Sequence, residues 1–323
     1  MFHISDCKKY NRCPILYLKD QENEKSEFQQ FVRLDEQITQ LAVQKLNLTD
    51  YFLGERNDPK ERALEALNSY KWLVKARFEY KTLRVKVPFL HRIQNAYDLY
   101  FLFVGLYPLT TDMQFYCDTV WVLQNNQIEI NNIYIIHLNA SYERGKELDV
   151  DQLFTISDTF YNANKNPSIS LKEAIYSHMT DLSSLLEKME NCSYETVLPP
   201  KRTNKCAGRN KCRYYSECFE EEKYPDNSIV TLSGSQYRFD MQKKGIEFLK
   251  DADLNLIEGT KLQYAQIEAD RNGGLFVDKL ALSAWMREIK YPITFLDFEW
   301  ERFAIPPYEK MHPFDVMPFE YSI

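Results

Sequence analysis

Residues 99–138 of this chain are LYFLFVGLYPLTTDMQFYCDTVWVLQNNQIEINNIYIIHL. The stretch begins with an apolar run, Leu99–Gly105, which is typical of a buried strand. Met113–Leu123 is predicted to be a helix, and a second apolar run, Ile133–Leu138, again predicts a strand. A strand, a helix and a strand in this order predict a core of the α/β class.

Helices and further strands are predicted before this core. Apolar residues recur at helical spacing from Ser26 to about Leu48, and a turn at Asn57–Pro59 precedes a second predicted helix, Glu61 to about Ser69. The apolar period then shortens to that of strands over residues 78–87. The α/β core is therefore expected to follow a helical N-terminal part.

After the core the pattern becomes mostly helical. Leu171–Met189 predicts one helix, and a mostly helical region is expected from about Pro225 to Lys290. Residues 293–299 (ITFLDFE) then predict a new strand, and residues 319–323 a short second one. Two strands and a loop of about 30 residues cannot bury a core of their own. We therefore expect this last segment to open a domain whose remainder is absent.

The composition is that of an ordinary globular protein. Its 323 residues suggest roughly two domains, and 44% hydrophobic with 27% charged residues can bury a sizeable core. No apolar run approaches the roughly 18 residues of a membrane-spanning helix, and the polar N-terminus lacks the apolar stretch of a signal peptide. We therefore predict a cytoplasmic protein with no membrane partner. The net charge of −7 argues against a surface coated in basic residues but allows a local basic groove.

Three of the seven cysteines follow a regular spacing. They form the pattern C-x5-C-x5-C within KRTNKCAGRNKCRYYSECF, residues 201–219. In a reducing compartment such thiols are better explained by metal ligation than by disulfides. Cys13, in the pattern RCP, is the natural fourth ligand, and Cys7 is its competitor. The predicted ligands of this metal centre are Cys13, Cys206, Cys212 and Cys218.

Four thiolates suit either an iron–sulfur cluster or zinc. Zinc ribbons usually have shorter C-x2-C spacings, so the pattern favours the cluster. The alternative is three unrelated thiols near a surface loop, but free cysteines are usually buried among apolar residues and these lie in a polar, basic stretch. A fourth ligand at Cys13 would link the N-terminus to the edge of the core. The cluster would then have a structural role and need not do redox chemistry.

The cysteine segment is also rich in cations. Residues 201–213 contain six lysines and arginines, with Tyr214 and Tyr215 beside them. Basic side chains interleaved with aromatic ones suit a nucleic-acid backbone with stacked bases, and the alternative is a solvated charged loop. The residues predicted to contact nucleic acid are Lys205, Arg209, Lys211 and Arg213.

The N-terminus and the cysteine segment together resemble a known group of nucleases. Residues 4–14, ISDCKKYNRCP, are similar to the N-terminus of RecB-type nucleases with an iron–sulfur cluster, including the CRISPR-associated ones. In those proteins one early and three late cysteines hold a 4Fe–4S cluster, which implies the same cofactor here. More closely, the chain resembles the bacterial family called domain of unknown function 2779. The matching stretches are IIHLNASYER (135–144), ELDVDQLF (147–154), the cysteine segment, QYAQIEA (263–269) and YPITFLDFEWERFAIPPYEKMHPFDVMPFEYSI (291–323).

The resemblance implies two nuclease folds in series. The first is a RecB-like PD-(D/E)XK domain, and the second is a DEDD-type exonuclease domain with a ribonuclease-H-like fold. It thereby implies a degenerate RecB-like domain over residues 1–224, a helical connection over 225–290 and an incomplete exonuclease-like domain over 291–323. Both chemistries use carboxylates to hold divalent metals that activate water. Magnesium or manganese is therefore expected only if the exonuclease site is completed.

The first implied active site lacks its acids. The family's strand with a metal-binding aspartate corresponds to residues 83–87 and offers Lys86 instead, and its E-x-K strand offers Phe101 and Phe103. The following helix has Thr119 where the family usually has a glutamine. A lysine and two phenylalanines cannot coordinate magnesium, so we predict that this site is inactive.

Two other acidic motifs remain. Glu79-Tyr80-Lys81 spells E-x-K, but on the preceding strand, and its nearest acidic predecessor, Asp58, lies in a turn; we interpret the match as coincidental. Asp297 and Glu299 stand two apart on a predicted strand, so both point to one face and could share a metal as the D-x-E of an exonuclease motif. A two-metal site needs two further aspartates, and Asp315 lies too close in sequence to be the next motif.

Three functions are compatible with these patterns. The first is a catalytically silent module, clipped by a 4Fe–4S cluster, that engages nucleic acid or a partner protein. The second is a metal-dependent DNA or RNA exonuclease whose missing carboxylates come from a longer parent chain or a partner. The third, a redox enzyme, lacks any accompanying cofactor-binding motif. The sequence favours the first function for this chain and no enzymatic activity of its own.

Overall fold

The computed structural model describes residues 1–23, 29–207, 211–219 and 224–323 as a mixture of helices and strands. The helices are α1 (Ile4–Arg12), α2 (Pro14–Glu22), α3 (Gln29–Lys45), α4 (Lys60–Ser69), α5 (Met113–Asn125), α6 (Val150–Leu153), α7 (Leu171–His178), α8 (Ser183–Glu190), α9 (Asn204–Ala207), α10 (Tyr215–Cys218), α11 (Arg238–Lys243), α12 (Lys261–Arg271) and α13 (Lys279–Glu288). The strands are β1 (Phe2–His3), β2 (Phe52–Leu53), β3 (Trp72–Tyr80), β4 (Leu83–Ile93), β5 (Ala96–Phe103), β6 (Ile130–Leu138), β7 (Phe154–Ser157), β8 (Thr159–Tyr161), β9 (Pro167–Ser170), β10 (Asp297–Arg302) and β11 (Val316–Ser322). None of these helices is long and apolar enough to cross a membrane.

A seven-stranded mixed sheet contains the predicted core. Its strand order is β2-β3-β4-β5-β6-β7, and β1 pairs in parallel with β4. Neighbours β3, β4 and β5 are antiparallel, whereas β5 and β6 run parallel. Parallel neighbours require a crossover connection, which the chain makes through α5. This mixed sheet with its helices confirms the α/β class.

Two helices cover opposite faces of the sheet at β5. The Phe101 ring lies 4.7 Å from the ring of Tyr116 on α5. Ile38 of α3 belongs instead to a buried cluster against which Tyr100 and Leu102 pack. Because side chains alternate along a strand, Phe101 points to the face of α5, and Tyr100 and Leu102 point to the face of α3.

Several predicted elements are confirmed, with shifted ends. The helix predicted for Met113–Leu123 is α5, and the strand predicted for Ile133–Leu138 is part of β6. The helix predicted from Glu61 is α4. The helix predicted from Ser26 corresponds to α3, and its first three predicted residues lie outside the described part of the chain.

The single helix predicted over Leu171–Met189 is wrong. This segment forms α7 and α8, and the intervening Met179 has an extended backbone. Asp181 accepts hydrogen bonds from the backbone N and the Oγ of Ser183, at 3.1 and 2.8 Å. A short polar side chain that caps a first-turn N–H in this way favours a new helix start over a continuous helix.

The later part of the chain is less regular than predicted. Between Pro225 and Lys290 the helices α11, α12 and α13 are separated by loops and short 3-10 turns, so helix occupies less than half of this region. The strand predicted to begin at Ile293 begins only at Asp297. The short strand predicted after it is part of β11.

The chain forms two compact units. The first contains Met1–Lys8, Glu24–Asn191 and Leu296–Ile323, and the second contains Lys9–Asn23 and Cys192–Phe295. Within the second unit a small core is formed by Ile229, Leu232, Phe239, Met241 and Ile267. The residue ranges of these two units differ from those of the three predicted domains. The three-domain division stays a prediction that follows from the sequence resemblance.

Candidate functional site

The four predicted metal ligands all lie in the second unit. Cys13 occupies the position before α2, Cys206 lies in α9, and Cys218 ends α10. Cys212 lies in the loop between the two short helices. All four line one cavity of about 760 Å³. The structure thus brings the N-terminal cysteine to the three that follow almost 200 residues later.

Backbone hydrogen bonds shape the cysteine segment. The N–H of Cys206 donates to the carbonyl of Thr203 at 2.9 Å, and that of Cys212 donates to the carbonyl of Cys206 at 2.8 Å. The N–H of Cys218 donates to the carbonyl of Tyr214 at 3.0 Å. Cys206 and Cys218 therefore each close a single turn, and the Cys212 bond joins the two ends of the loop between the first two cysteines.

A buried carboxylate attaches this segment to α2. Asp20, which is 3% exposed, accepts a hydrogen bond from the hydroxyl of Tyr214 at 2.9 Å and pairs with Lys9 Nζ at 2.6 Å. Arg213 is a third donor to the same carboxylate. Sequence reasoning missed Asp20, because nothing in the local pattern of α2 shows that this acid is buried.

The cysteines influence one another electrostatically. Burial raises the pKa of Cys218, Lys19 lowers it, and the thiols of Cys212, Cys13 and Cys206 each raise it further. Thiolates at these positions would therefore repel one another, and a bound cationic centre would relieve that repulsion.

The thiols nevertheless do not form a closed ligand set. In the described ranges no group of three or more His, Cys, Asp or Glu side chains is arranged to hold a metal ion. The two findings differ because lining a common cavity is a weaker condition than converging on one point. The four thiols therefore share a cavity without forming a converged ligand group.

Cys7, the competing fourth ligand, lies elsewhere. It belongs to the first unit, is fully buried and is not among the residues that line the cavity. Burial, with a smaller effect of Asp118 and Asp6, raises its pKa to about 12. A thiol that resists ionisation in this way is a poor metal ligand, so the geometry favours Cys13.

The predicted nucleic-acid contacts differ in their availability. Lys205 and Lys211 are exposed, and the Nζ of Lys211 lies 4.7 Å from the centre of the Tyr215 ring. Arg213 is 61% exposed but is paired with Asp20, so its guanidinium already has a structural partner and is less available to nucleic acid. Arg209 lies outside the described residues.

Lys86, which the sequence resemblance aligns with a metal-binding aspartate, is engaged in an ion pair. Its Nζ lies 3.0 Å from one carboxylate oxygen of Asp35 and 3.1 Å from the other. Lys75 pairs with the same carboxylate at 3.0 Å. Both lysines lower the pKa of Asp35 against the opposing effect of its burial, which is the largest single influence. Lys86 therefore brings a cation rather than a metal ligand to this position, and Asp35 is its ion-pair partner.

The predicted alignment of the E-x-K strand needs a correction. Phe101 faces α5, whereas Lys86 contacts Asp35 on α3, so the two cannot contribute to one site. Because Phe103 is two residues from Phe101 on the same strand, it shares the face of Phe101. The β5 residues that do share the face of Lys86 include Tyr100 and Leu102, which also cannot bind magnesium.

The other motif residues are occupied by structural contacts. Glu79 pairs with Arg84 at 3.0 Å, while Lys81 lies in the β3–β4 turn and donates to Ser183 Oγ at 2.5 Å. Thr119 is buried in α5 and its hydroxyl donates to the carbonyl of Phe115 at 2.8 Å. Glu79 and Lys81 therefore do not form a shared site.

The C-terminal acids lie on an exposed hairpin. Asp297 and Glu299 are on β10, two apart and before the irregularity that follows Glu299, so their side chains share one face. Glu320 of β11 lies directly opposite Glu299 in the antiparallel register. Sequence reasoning missed Glu320, because strand register is a long-range property. Three carboxylates thus occupy one side of this hairpin.

Comparison with known proteins gives this chain no relatives: no protein-family model, no curated protein and no solved structure matches it. No family membership follows from the comparisons.

Proposed function

We propose that this chain is a nucleic-acid-associated RecB-like module that carries a 4Fe–4S cluster and has no nuclease activity of its own. One observation carries the proposal: Cys13, Cys206, Cys212 and Cys218 line a single cavity. Exposed lysines of the same segment, Lys201 and Lys205, line that cavity as well.

The donor set supports a cluster over zinc. A zinc ion requires all four sulfurs at about 2.3 Å from one point. A cluster attaches each cysteine to a different iron and therefore suits thiols spread around a larger cavity. The cluster would crosslink α2 and the cysteine segment through its bonds to sulfur. The chain itself holds these two elements together through the contacts of Asp20.

The sheet supports a RecB-like core. The resemblance implies a strand with a metal-binding aspartate, then a strand with E-x-K, then a helix. In this chain β4, β5 and α5 follow in that order, and β6 pairs in parallel with β5. The ion pair between Lys86 and Asp35 supports the inactive form of such a core, because a fixed cation occupies the position of the acid.

The cluster is tested by anaerobic purification. We expect brown protein with about four irons per chain, lost in Cys13→Ser, Cys206→Ser, Cys212→Ser and Cys218→Ser. Cys192→Ser is the matched control, since this thiol lies in the same unit but does not line the cavity. Stoichiometric zinc without iron, or a Cys13→Ser protein with its full iron content, would contradict the ligand set.

Nucleic-acid binding is tested by fluorescence anisotropy with labelled single-stranded DNA and RNA over a range of salt concentrations. The double variant Lys205→Glu/Lys211→Glu should weaken binding for all sequences and reduce the salt slope by about two. Lys188→Glu on α8, also exposed, is the matched control. An unchanged salt slope in the double variant would mean that the lysines of this loop face solvent and do not contact nucleic acid.

A metal-dependent exonuclease remains the second candidate. The observation in its favour is the set of three carboxylates on the hairpin, Asp297, Glu299 and Glu320. Further carboxylates from a longer chain or a partner would have to complete a magnesium or manganese site.

A further inference from the structure

Strands β3 and β4 place cations next to one another on the face of α3. Arg77 lies directly opposite Lys86 in the antiparallel register. Lys75 and Lys86 both contact Asp35 of α3, each at 3.0 Å. We refer to Lys75, Arg77, Arg84 and Lys86 as the cationic strand surface.

The neighbouring carboxylates do not balance this surface. Asp35 is shared by two lysines, and Glu79 is paired with Arg84. Arg77 Nη1 is buried and has no hydrogen-bond acceptor among the residues that the structure describes. Asp58, which together with Asp35 acts favourably on Arg77, is itself paired with Arg62. Positive charge is therefore in excess, and a buried guanidinium donor lacks an acceptor.

Such an arrangement is costly without a ligand. Like charges directly opposite each other destabilise a strand pair, and a buried donor without an acceptor carries its full desolvation penalty. Burial and the neighbouring Arg84 lower the pKa of Arg77, which reflects the same unfavourable setting. An oxyanion would remove both costs, because its oxygens accept from the guanidinium fork and from ammonium groups together.

We propose that the cationic strand surface binds a phosphate group. The phosphate accepts hydrogen bonds from Arg77 and replaces Asp35 as the partner of Lys75 and Lys86. The side chains of Lys86 and Asp35 are 39% and 44% exposed, whereas those of Lys75 and Arg84 are 16% and 14% exposed. The phosphate would therefore enter beside Lys86, where Asp35 can turn toward water. Fixed cations would thus neutralise a phosphate at the position where the resemblance implies a metal.

The phosphate has two possible sources. In a nucleic acid it is a backbone phosphate, and this assignment rests on the proposed function. The other source is free phosphate or a nucleotide. Both share the same chemistry at Arg77, and two separate binding measurements distinguish them.

The first measurement is thermal unfolding of the intact protein with increasing inorganic phosphate at constant ionic strength. Phosphate should raise the melting temperature of the unsubstituted chain. Arg77→Gln and Lys86→Met should weaken the apparent affinity about tenfold each, since each loses a charged hydrogen bond. Lys146→Met, which removes an exposed lysine of the same unit, should leave it unchanged. If Arg77→Gln fails to fold, Arg77→Lys keeps the charge but loses the fork, and should weaken phosphate binding less.

The second measurement is anisotropy with a labelled single-stranded oligonucleotide. Weaker binding by Arg77→Gln identifies a backbone phosphate as the ligand. Phosphate binding that depends on Arg77, with oligonucleotide binding that does not, identifies the free anion. If phosphate stabilises the protein but no oligonucleotide binds, the proposed function fails and the phosphate site stands. If phosphate does not stabilise the unsubstituted protein, or stabilises Arg77→Gln equally, the proposal is overturned.

Discussion

Asp118 on α5 is a buried carboxyl whose Oδ2 has no hydrogen-bond partner among the described residues. Burial raises its pKa to about 7, against smaller opposing effects of Gln114 and Lys8. In the unfolded chain an aspartate titrates near pH 3.9. The folded state therefore binds the additional proton between about pH 4 and pH 7, and stability falls as the pH rises through this window.

We expect Asp118→Asn to remove this pH dependence. The variant should be more stable than the unsubstituted chain at pH 8 by on the order of 2–4 kcal/mol, and similar to it near pH 4. Urea unfolding at several pH values measures the difference. Asp151→Asn, at a position 79% exposed, is the control and should keep the original slope. An unchanged slope in Asp118→Asn would show that another group is responsible.

At the scale of elements, α2 and the cysteine segment are joined by Asp20. Asp20→Ala leaves the hydroxyl of Tyr214 and the cations Lys9 and Arg213 without their shared acceptor. We expect a loss of about 2–4 kcal/mol in unfolding free energy, together with a lower iron content, because the fourth thiol is no longer held in place. Glu217→Gln, which breaks the exposed pair with Lys19, should cost less than about 1 kcal/mol. Equal effects of the two substitutions would contradict the anchoring role.

Local patterns explain which elements could be predicted. β5 and β6 were predictable because strands buried on both faces have nearly continuous apolar sequences. The break between α7 and α8 was not, since it depends on hydrogen bonds from Ser183 to Asp181 rather than on the apolar period. The face on which Phe101 lies could not be predicted either, because an apolar run carries no alternation from which the two faces can be told apart.

Among the candidate site residues, too, only those with a local sequence pattern could be predicted. The cysteine spacing indicated three ligands, and the need for a fourth pointed to Cys13 before any geometry was known. Asp20 and Asp35 could not be predicted, because each acts through partners distant in sequence: Lys86 is 51 residues from Asp35. Such contacts leave no local pattern, and only the packing of helix against sheet or loop reveals them.

At the scale of the whole molecule, the two units should differ in their dependence on the proposed cluster. The second unit has short helices, long loops and a small core around Ile229 and Phe239. Domains of this kind commonly rely on a metal centre for stability. The first unit contains the seven-stranded sheet and needs no such support.

We therefore expect removal of iron by a chelator to expose residues 192–295 to limited proteolysis, while residues 72–138 stay protected. Mass spectrometry of the fragments identifies the cleavage sites. Cys192→Ser treated in the same way should behave like the unsubstituted chain. Early cleavage within β3 to β6 instead would show that the cluster stabilises the sheet, and identical cleavage with and without iron would show that it stabilises neither unit.

The molecule as a whole should have no metal-dependent nuclease activity, because neither acidic site is complete. Lys86 is bound to Asp35, and the hairpin places the three carboxylates of Asp297, Glu299 and Glu320 on one side. A partial carboxylate cage binds a divalent ion weakly, and without metal the activated water and the charge neutralisation are both lost, which costs many orders of magnitude in rate.

The measurement is degradation of single- and double-stranded DNA and RNA with magnesium and with manganese, next to an unrelated active nuclease as the positive control. The expected result is no turnover above that of buffer. Turnover abolished by Asp297→Ala would refute the prediction and establish that other carboxylates complete the hairpin site. Turnover that survives Asp297→Ala but is lost in Glu79→Ala would instead place the active site on β3. The Glu79–Arg84 ion pair would then be a resting contact that opens when metal binds.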